Sequence, residues 1–219
     1  MQVYDGAAMI LYDYFRSSAA YRVRIALNLK GIEAERHFVH LRKGEQRAAQ
    51  YLGVNAQGLV PTLVDGDTVL TQSLAIIEYL DEKHPTPQLL PRDIADRAWV
   101  RAIAQSIACD IHPLNNLRVL KHLANELKID EPARDEWYRH WVRVGFAALE
   151  SQLAARATGT YALGPEPTLA DVCIVPQVAN ANRLKVPMDP YPRLAAIDAA
   201  CLKHPAFDRA RPEVQPDAE

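Results

Sequence analysis

Residues 59–70 read LVPTLVDGDTVL, two apolar runs separated by an Asp-Gly-Asp turn. An Asp-Gly pair between apolar runs is typical of a tight antiparallel β-hairpin. Ser73 follows, and the apolar residues Ile76, Ile77 and Leu80 then recur at helical spacing. The stretch therefore predicts a ββα unit, in which two antiparallel strands lead directly into a helix.

The residues before this unit alternate between strand and helix patterns. Residues 10–15, ILYDYF, are β-branched and aromatic and predict a first strand. A helical pattern follows over 20–27 and ends at Gly31, a residue suited to the left-handed conformation of a helix end. Residues 38–41, FVHL, predict a second strand, and 46–52 a short helix. Strands joined through a helix run parallel and a hairpin is antiparallel, so the order βαβαββα predicts an α/β domain with a four-stranded mixed sheet.

A proline-rich segment separates this α/β part from a purely helical remainder. Residues 85–91, PTPQLLP, contain three prolines in seven positions, which is typical of a linker. Thr168 and Asp171 form a capping-box pattern at the start of a later helix. The long amphipathic stretches lie at 94–111, 114–128, 134–156, 169–185 and 193–203. For this 219-residue chain we expect an α/β domain over 1–85, a linker over 86–93 and an all-α domain over 94–219.

Composition excludes several classes of function. Lys and Arg number 25 against 27 Asp and Glu, without the dense basic patch that nucleic-acid binding requires. No apolar run is long enough to span a bilayer, and residues 1–8 lack the layout of a secretory signal. Three scattered cysteines provide no disulfide framework, and the seven histidines show no metal-ligand spacing. We therefore expect a cytoplasmic protein with no bound metal, nucleic acid or membrane.

Three local features indicate a site for an acidic, peptide-like ligand. Ser17 and Ser18 lie between a strand and a helix, where backbone N–H groups and the helix dipole would stabilise a thiolate. This turn has no cysteine, so the thiolate must come from a bound molecule; alternatively, one serine only caps the helix and the other is solvated. Pro61 indicates an edge or a bend before a strand. Gln72 and Ser73 precede a helix that can bind a carboxylate, unless Ser73 is simply its N-cap.

Five segments carry a resemblance to a known family. They are residues 17–27 (SSAAYRVRIAL), 60–63 (VPTL), 72–80 (QSLAIIEYL), 110–116 (DIHPLNN) and 175–181 (VPQVANA). Together they resemble the zeta class of glutathione transferases, a family that includes maleylacetoacetate and maleylpyruvate isomerases. The resemblance runs in order from Ile10 to Asp217. Ala19 departs from it, because the zeta signature has cysteine at that position.

The resemblance implies a thioredoxin-like amino-terminal domain, an all-α carboxy-terminal domain that contributes an acidic-substrate pocket, a homodimer, and glutathione as cofactor. Ser17, or alternatively Ser18, would hydrogen-bond the glutathione sulfur. The other glutathione contacts would be Gln46, the backbone of Val60 before a cis Pro61, Gln72, Ser73, and His112 and Asn116, the last two from either subunit of the dimer. Arg16 and Arg183 would bind the substrate carboxylates. For Arg183 the alternative interpretation is a solvated charge at a helix end.

The implied function is glutathione-dependent cis–trans isomerisation of maleylacetoacetate to fumarylacetoacetate, in tyrosine and phenylalanine breakdown, with glutathione transferase activity besides. The alternatives are the same chemistry on maleylpyruvate, in gentisate breakdown, a conjugating or dehalogenating glutathione transferase, and a non-catalytic binding module of the same fold.

Overall fold

The fold is taken from a computed structural model, which describes residues 9–156 and 159–219. The expectation made for residues 1–8 lies outside the described residues. No helix within the described ranges is both long and apolar enough to cross a membrane.

The amino-terminal unit is built on the expected four-stranded mixed sheet. Its strands are β1 (Ile10–Asp13), β2 (Glu35–Phe38), β3 (Thr62–Asp65) and β4 (Thr68–Thr71), in the spatial order β2-β1-β3-β4. The first two strands pair in parallel, with Ile10 opposite Glu35. The hairpin strands β3 and β4 pair antiparallel, and β3 also runs antiparallel to β1. The mixed sheet and the hairpin are thus confirmed.

The second strand lies three residues earlier than predicted. The structure pairs Glu35–Phe38 with β1, whereas the apolar run at 38–41 predicted the strand there. This strand is at the edge of the sheet and its side chains are half-buried or exposed, so it contains Glu35, Arg36 and His37. An edge strand needs no apolar run, which is why the hydrophobic pattern pointed to the wrong residues.

Three helices complete the expected order of the first unit: α1 (Ser18–Lys30), α2 (Ala49–Leu52) and α3 (Ser73–Lys83). A 3₁₀ turn at Glu45–Arg47 precedes α2. Helix α1 ends at Gly31 with φ 64°, as its sequence predicts. The core between the sheet and helices α1 and α3 contains the fully buried side chains Leu11, Ile25, Leu63, Ile76 and Leu80.

The helical unit comprises α4 (Ile94–Gln105), α5 (Leu117–Asn125), α6 (Glu131–Ala154), α7 (Leu169–Arg183) and α8 (Pro192–Cys201). A π-helical turn, Ser106–Ile111, continues α4, and a 3₁₀ turn, Pro113–Asn115, follows it. Helix α7 is almost entirely buried and begins at the predicted capping box. There Asp171 accepts hydrogen bonds from the Thr168 N–H at 2.8 Å and the Ala162 N–H at 2.7 Å.

The chain divides into two units at residues 87 and 88, and its carboxyl end returns to the first unit. The expected linker residue Leu89 is buried in the helical unit, where its carbonyl accepts the Leu169 N–H. The helical unit ends at residue 204, and 205–219 belong with the α/β unit rather than with the expected helical domain of 94–219. A short helix in this segment, α9 (Pro205–Asp208), places the fully buried Phe207 in the first unit.

Candidate functional site

The turn between β1 and α1 presents Ser17 at the amino end of a helix. Ser17 is the N-cap of α1, and its Oγ accepts the Ala20 N–H at 3.2 Å. The Ser17 N–H donates to the Tyr14 carbonyl at 2.9 Å, which closes the turn. Since Oγ acts only as an acceptor in these bonds, its proton is available to donate to an anion, next to the positive end of the helix dipole. The half-buried Ser17 therefore has the geometry of a thiolate-stabilising group.

The neighbours of Ser17 differ in accessibility. Ser18, the first residue of α1, is buried, with 6% of its surface exposed. Arg16 is exposed, and its guanidinium carbon lies 5.8 Å from the centroid of the Phe15 ring. The turn thus offers an accessible hydroxyl and an accessible cation side by side.

Val60 contributes backbone groups to the same unit. The Val60–Pro61 peptide bond is cis. Within the described residues, neither the Val60 N–H nor its carbonyl has a hydrogen-bond partner. The Val60 side chain packs in an apolar cluster with Tyr14 and Phe15, the residues just before Ser17. A donor and an acceptor left open beside a strand are what an extended peptide needs for backbone pairing.

Gln72 and Ser73 form a second helix start, at α3. Gln72, rather than Ser73, is the N-cap, and no side chain caps the helix, so the alternative that Ser73 only caps α3 is wrong. The Ser73 Oγ is used instead to accept a hydrogen bond from Arg22 Nη1 at 3.2 Å. Gln72 has φ 68° and ψ 116°, a conformation that costs a non-glycine residue about 1–3 kcal/mol. Such strain occurs mainly where a side chain must be aimed, and Gln72 Nε2 reaches Gln57 Oε1 at 3.2 Å.

Gln46 lies in the 3₁₀ turn before α2 and is buried. Its Oε1 atom is buried without a hydrogen-bond partner among the described residues. A buried amide oxygen left unpaired is costly, and a ligand N–H would satisfy it. Together with Val60, Gln46 makes this unit suited to a small peptide, which is the chemistry of glutathione.

Two buried arginines that were given no role in the sequence analysis organise these groups. Arg22, 1% exposed, links α1 to Ser73. Arg24, 2% exposed, binds Asp13 Oδ1 at 2.9 Å and the Phe15 carbonyl at 3.0 Å, and burial lowers its pKa to about 10. The sequence signal is two charges, two positions apart, inside an otherwise apolar helix. Charges this deep require specific partners, which only the structure identifies.

Two expected residues of the helical unit, His112 and Asn116, follow the end of its π-helical turn. The half-buried His112 donates its N–H to the Ile107 carbonyl at 2.9 Å. Asn116 caps α5, and its Oδ1 accepts the Arg118 N–H at 3.1 Å, which leaves its Nδ2 to donate. Asn115, which the sequence did not single out, is buried, and within the described ranges neither its Oδ1 nor its Nδ2 has a partner.

Arg183 is the last residue of α7 and is exposed. Its guanidinium donates to Asn180 Oδ1 at 3.3 Å and lies 5.8 Å from the centroid of the buried Tyr138 ring. Burial raises the pKa of Tyr138, while Arg183 opposes that rise. Both residues line a cavity of about 260 Å³ that Arg134 also borders. Arg183 is therefore exposed but held by side chains of its own unit.

Metal-binding side chains do not cluster in the parts of the chain that the structure describes. No group of three or more His, Cys, Asp or Glu side chains is placed there to hold a metal ion.

Two family models match the chain. The amino-terminal domain of glutathione S-transferase matches residues 16–83, and the carboxy-terminal domain of glutathione S-transferase matches 131–197. The first matched range contains Ser17 and Gln72, and the second contains Arg183.

Similar proteins extend the match over almost the whole chain. A probable maleylacetoacetate isomerase from Vibrio cholerae is 50% identical over 96% of this chain and 99% of its own length. The holo structure of maleyl pyruvate isomerase, a bacterial glutathione S-transferase of the zeta class, is 48% identical, covers 95% and 99% of the two chains, and superimposes with a TM-score of 0.94. Maleylacetoacetate isomerase from Anaeromyxobacter dehalogenans, with glutathione bound in its active site, is 40% identical with a TM-score of 0.88 over 97% and 98% of the two chains. The chain belongs to the glutathione S-transferase family, in its zeta class.

Proposed function

We propose that this protein is a glutathione-dependent cis–trans isomerase that converts maleylacetoacetate to fumarylacetoacetate, in tyrosine and phenylalanine breakdown. The observation that carries the proposal is the Ser17 hydroxyl, whose proton is available at the amino end of α1 in a turn without cysteine. The relative from Vibrio cholerae, half identical over nearly the whole chain, has the same named activity.

Bound glutathione supplies a thiolate that adds reversibly to the conjugated double bond, which becomes single, rotates and is restored when the thiolate leaves. The Ser17 hydroxyl donates a hydrogen bond to the sulfur and so stabilises the thiolate form. The positive end of the α1 dipole stabilises the same form. Covalent catalysis of this kind requires no thiol from the protein. Ala19, where the zeta signature has cysteine, is therefore compatible with isomerisation.

The remaining first-unit residues hold the tripeptide. Val60 offers its open backbone N–H and carbonyl to the cysteinyl residue, and Gln46 offers its unpaired side-chain oxygen toward the glycyl end. Gln72 and Ser73 bind the γ-glutamyl end, where the amino terminus of α3 favours a carboxylate. In the helical unit, His112 and Asn116 contact the bound tripeptide, from the same subunit or from the partner in a homodimer.

Arg16 and Arg183 bind the two carboxylates of the substrate. The planar guanidinium group pairs with a carboxylate through two parallel hydrogen bonds, which fixes orientation as well as charge. We expect Arg183→Ala to raise KM for the diacid about tenfold, the scale of one charged hydrogen bond, with a smaller effect on kcat. Steady-state kinetics check this, with Arg134→Ala as the matched control. An unchanged KM would indicate that Arg183 does not bind the substrate and is only a solvated charge at the end of α7.

Maleylpyruvate is the second candidate substrate, because the structurally similar zeta-class protein is named maleyl pyruvate isomerase. Both molecules are keto-diacids, and both would present two carboxylates to the arginines. Side-by-side measurement of kcat/KM on the two substrates decides between them. We expect the higher value for maleylacetoacetate, and a clear preference for maleylpyruvate would replace our first choice.

A conjugating or dehalogenating transferase, or a binding module without catalysis, would behave differently. We expect the concentration of free glutathione to be the same before and after complete turnover, because the thiol is released in each cycle. Stoichiometric loss of free thiol would indicate conjugation, and loss of thiol with release of halide would indicate dehalogenation. Glutathione binding without any turnover would indicate a binding module without catalysis. We further propose that the protein is a cytoplasmic homodimer. Analytical ultracentrifugation measures its mass in solution and thereby tests the oligomeric state.

A further inference from the structure

The turn that precedes Ser17 is held by a residue from the far end of the chain. The Phe15 N–H donates to Asp217 Oδ2 at 2.9 Å, although the two residues are 202 positions apart. On either side, the Tyr14 N–H donates to Asp13 Oδ1 and the Ser17 N–H to the Tyr14 carbonyl. Of these three amides, only that of Phe15 binds a partner from outside β1 and the turn, and that partner is Asp217.

The opposite side of the same turn is bound by Arg24. Its guanidinium donates to the Phe15 carbonyl at 3.0 Å and to Asp13 Oδ1 at 2.9 Å. Its Nε donates to the carbonyl of Ala210, in the carboxy-terminal segment, at 3.0 Å. Phe15 is therefore held between Arg24, which binds its carbonyl, and Asp217, which binds its amide.

The segment that carries Asp217 is itself fixed. Gln215 Nε2 donates to the carbonyls of Arg209 and Arg211, at 2.9 and 2.7 Å. Gln215 Oε1 accepts from Arg36 at 3.3 Å, which ties the segment to β2. Asp217 is consequently presented to the turn by a braced loop.

The surroundings of Asp217 are unusual for a group that only packs. Its Oδ1 atom is buried and has no hydrogen-bond partner among the described residues. A partly buried carboxylate with one oxygen unpaired is costly, and the positive charges that act on this group are those of Arg24 and Arg36. Buried polar atoms that lack a partner are expected mainly near functional sites, and Asp217 is bound to the turn that carries Ser17.

We propose that Asp217 is a positioning residue, which holds the Phe15 amide so that the turn presents the Ser17 hydroxyl to the glutathione sulfur. This inference rests on the proposed function only for the role of Ser17. The bond itself lies wholly within the α/β unit, and only Arg16 separates Phe15 from Ser17 in sequence. Loss of the bond frees the turn, so the hydroxyl no longer stays aimed at the sulfur.

The test compares Asp217→Ala, Asp217→Ser and Asp217→Asn with Glu213→Gln, an exposed change in the same segment. Alanine and serine cannot reach the Phe15 amide, whereas the oxygen of asparagine can accept its proton. The pKa of the bound glutathione thiol, followed by thiolate absorbance at about 240 nm, reports directly on Ser17. Hydrogen exchange over residues 14–18, the melting temperature, and kcat and KM on both keto-diacids complete the set.

We expect Asp217→Ala and Asp217→Ser to raise the pKa of the bound thiol by about one, to speed exchange of the Phe15 amide and to lower kcat about tenfold, the scale of one charged hydrogen bond, with KM unchanged. Asp217→Asn and Glu213→Gln stay near the wild type. The proposal is overturned if the alanine and serine variants keep the wild-type thiol pKa, or if they lose only thermal stability. A wild-type protein that isomerises neither substrate would contradict the proposed function, while the thiol pKa and the exchange rates would still test the positioning role.

Discussion

The Ser17 hydroxyl combines an observed helix cap with the ligand contact that we propose for it. The lone pairs of Oγ cap α1 through the Ala20 N–H, and the hydroxyl proton is available for a ligand. We therefore expect replacement of Ser17 to change helix stability and ligand chemistry together. Variants that keep one task and remove the other are needed to separate them.

We expect Ser17→Ala to slow isomerisation by about 10²-fold or more, the usual scale for losing a charge-stabilising donor. Ser17→Asp keeps a capping oxygen but places a negative charge where the thiolate would form, so it should stay folded and be at least as slow. Ser17→Thr, which retains the hydroxyl, should recover most of the rate. The measurements are kcat and thermal stability, with Ser18→Ala as the matched control. Near wild-type rates for both alanine variants would remove the serines from the mechanism.

Asp198, in α8, predicts a pH-dependent stability. Burial raises the pKa of its carboxyl from 3.8 to about 6 in the folded state. Because the folded form binds this proton more tightly than the unfolded form, stability from this group is greatest below pH 4 and is lost as pH rises through about 6. Asp198→Asn removes the charge, so it should stabilise the protein at pH 7 by no more than about 3 kcal/mol, and by less at pH 4.5. Urea unfolding at both pH values checks this, and a difference independent of pH would contradict it.

At the scale of elements, α6 lies close against the π-helical turn at Ser106–Ile111 in the helical unit. A Cβ atom at Gly145 would overlap Cδ1 and Cγ1 of Ile111, a side chain that is itself buried. The missing side chain of Gly145 therefore lets α6 lie against the turn that leads to His112. Alanine would be the better helix former at this position, so packing has overridden helix propensity.

We expect Gly145→Ala to destabilise the protein, because about 1–3 kcal/mol of overpacking exceeds the gain of about 1 kcal/mol in helix propensity. Ile111→Ala alone should also destabilise, by about 2–5 kcal/mol through the cavity it leaves. The double variant should lose less than the sum of the two, since the new methyl group occupies part of that cavity. A double-mutant cycle of unfolding free energies measures the coupling, and strict additivity would contradict the contact.

Elements also show what the sequence could and could not predict. The Asp-Gly hairpin, the end of α1 at Gly31 and the capping box at Thr168 were predicted because each depends on local backbone chemistry. The position of β2 was not, because an edge strand carries no apolar signal. Likewise, Ser73 carries the residue type of a helix cap but binds Arg22, a partner 51 positions away that no local pattern identifies.

For the whole molecule, the same limit applies to the carboxyl end. Residues 205–219 follow the helical stretches in sequence, yet they pack with the α/β unit. The hydrophobic pattern of a short helix shows which face is buried but not which unit buries it. The candidate site shows the limit again. The residues proposed to carry chemistry could be named from motifs, while the contacts of Arg24 and Asp217 with the Phe15 backbone required the structure.

We expect Phe207→Ala to destabilise the protein by about 3–5 kcal/mol, because a fully buried aromatic side chain is removed from the core of the first unit. Hydrogen exchange should show the larger loss of protection in α1, whose Asn28 side chain also binds the Ala206 carbonyl, and the smaller loss in α7. Val214→Ala, an exposed change in the same segment, is the control. Equal losses in both helices would contradict this division of the chain.

The return of 205–219 to the first unit also sets an order of events during translation. The helical unit is continuous in sequence, so all of its residues have been synthesised before Phe207 and Asp217 are added. The α/β unit, although residues 1–87 of it are synthesised before the helical unit, must therefore wait for residues 205–219 before its core and its Ser17 turn are complete. The nascent protein should acquire its capacity to ionise bound glutathione only once residues 205–219 have been synthesised, and therefore after the helical unit, which lies before them in sequence, has had the opportunity to fold.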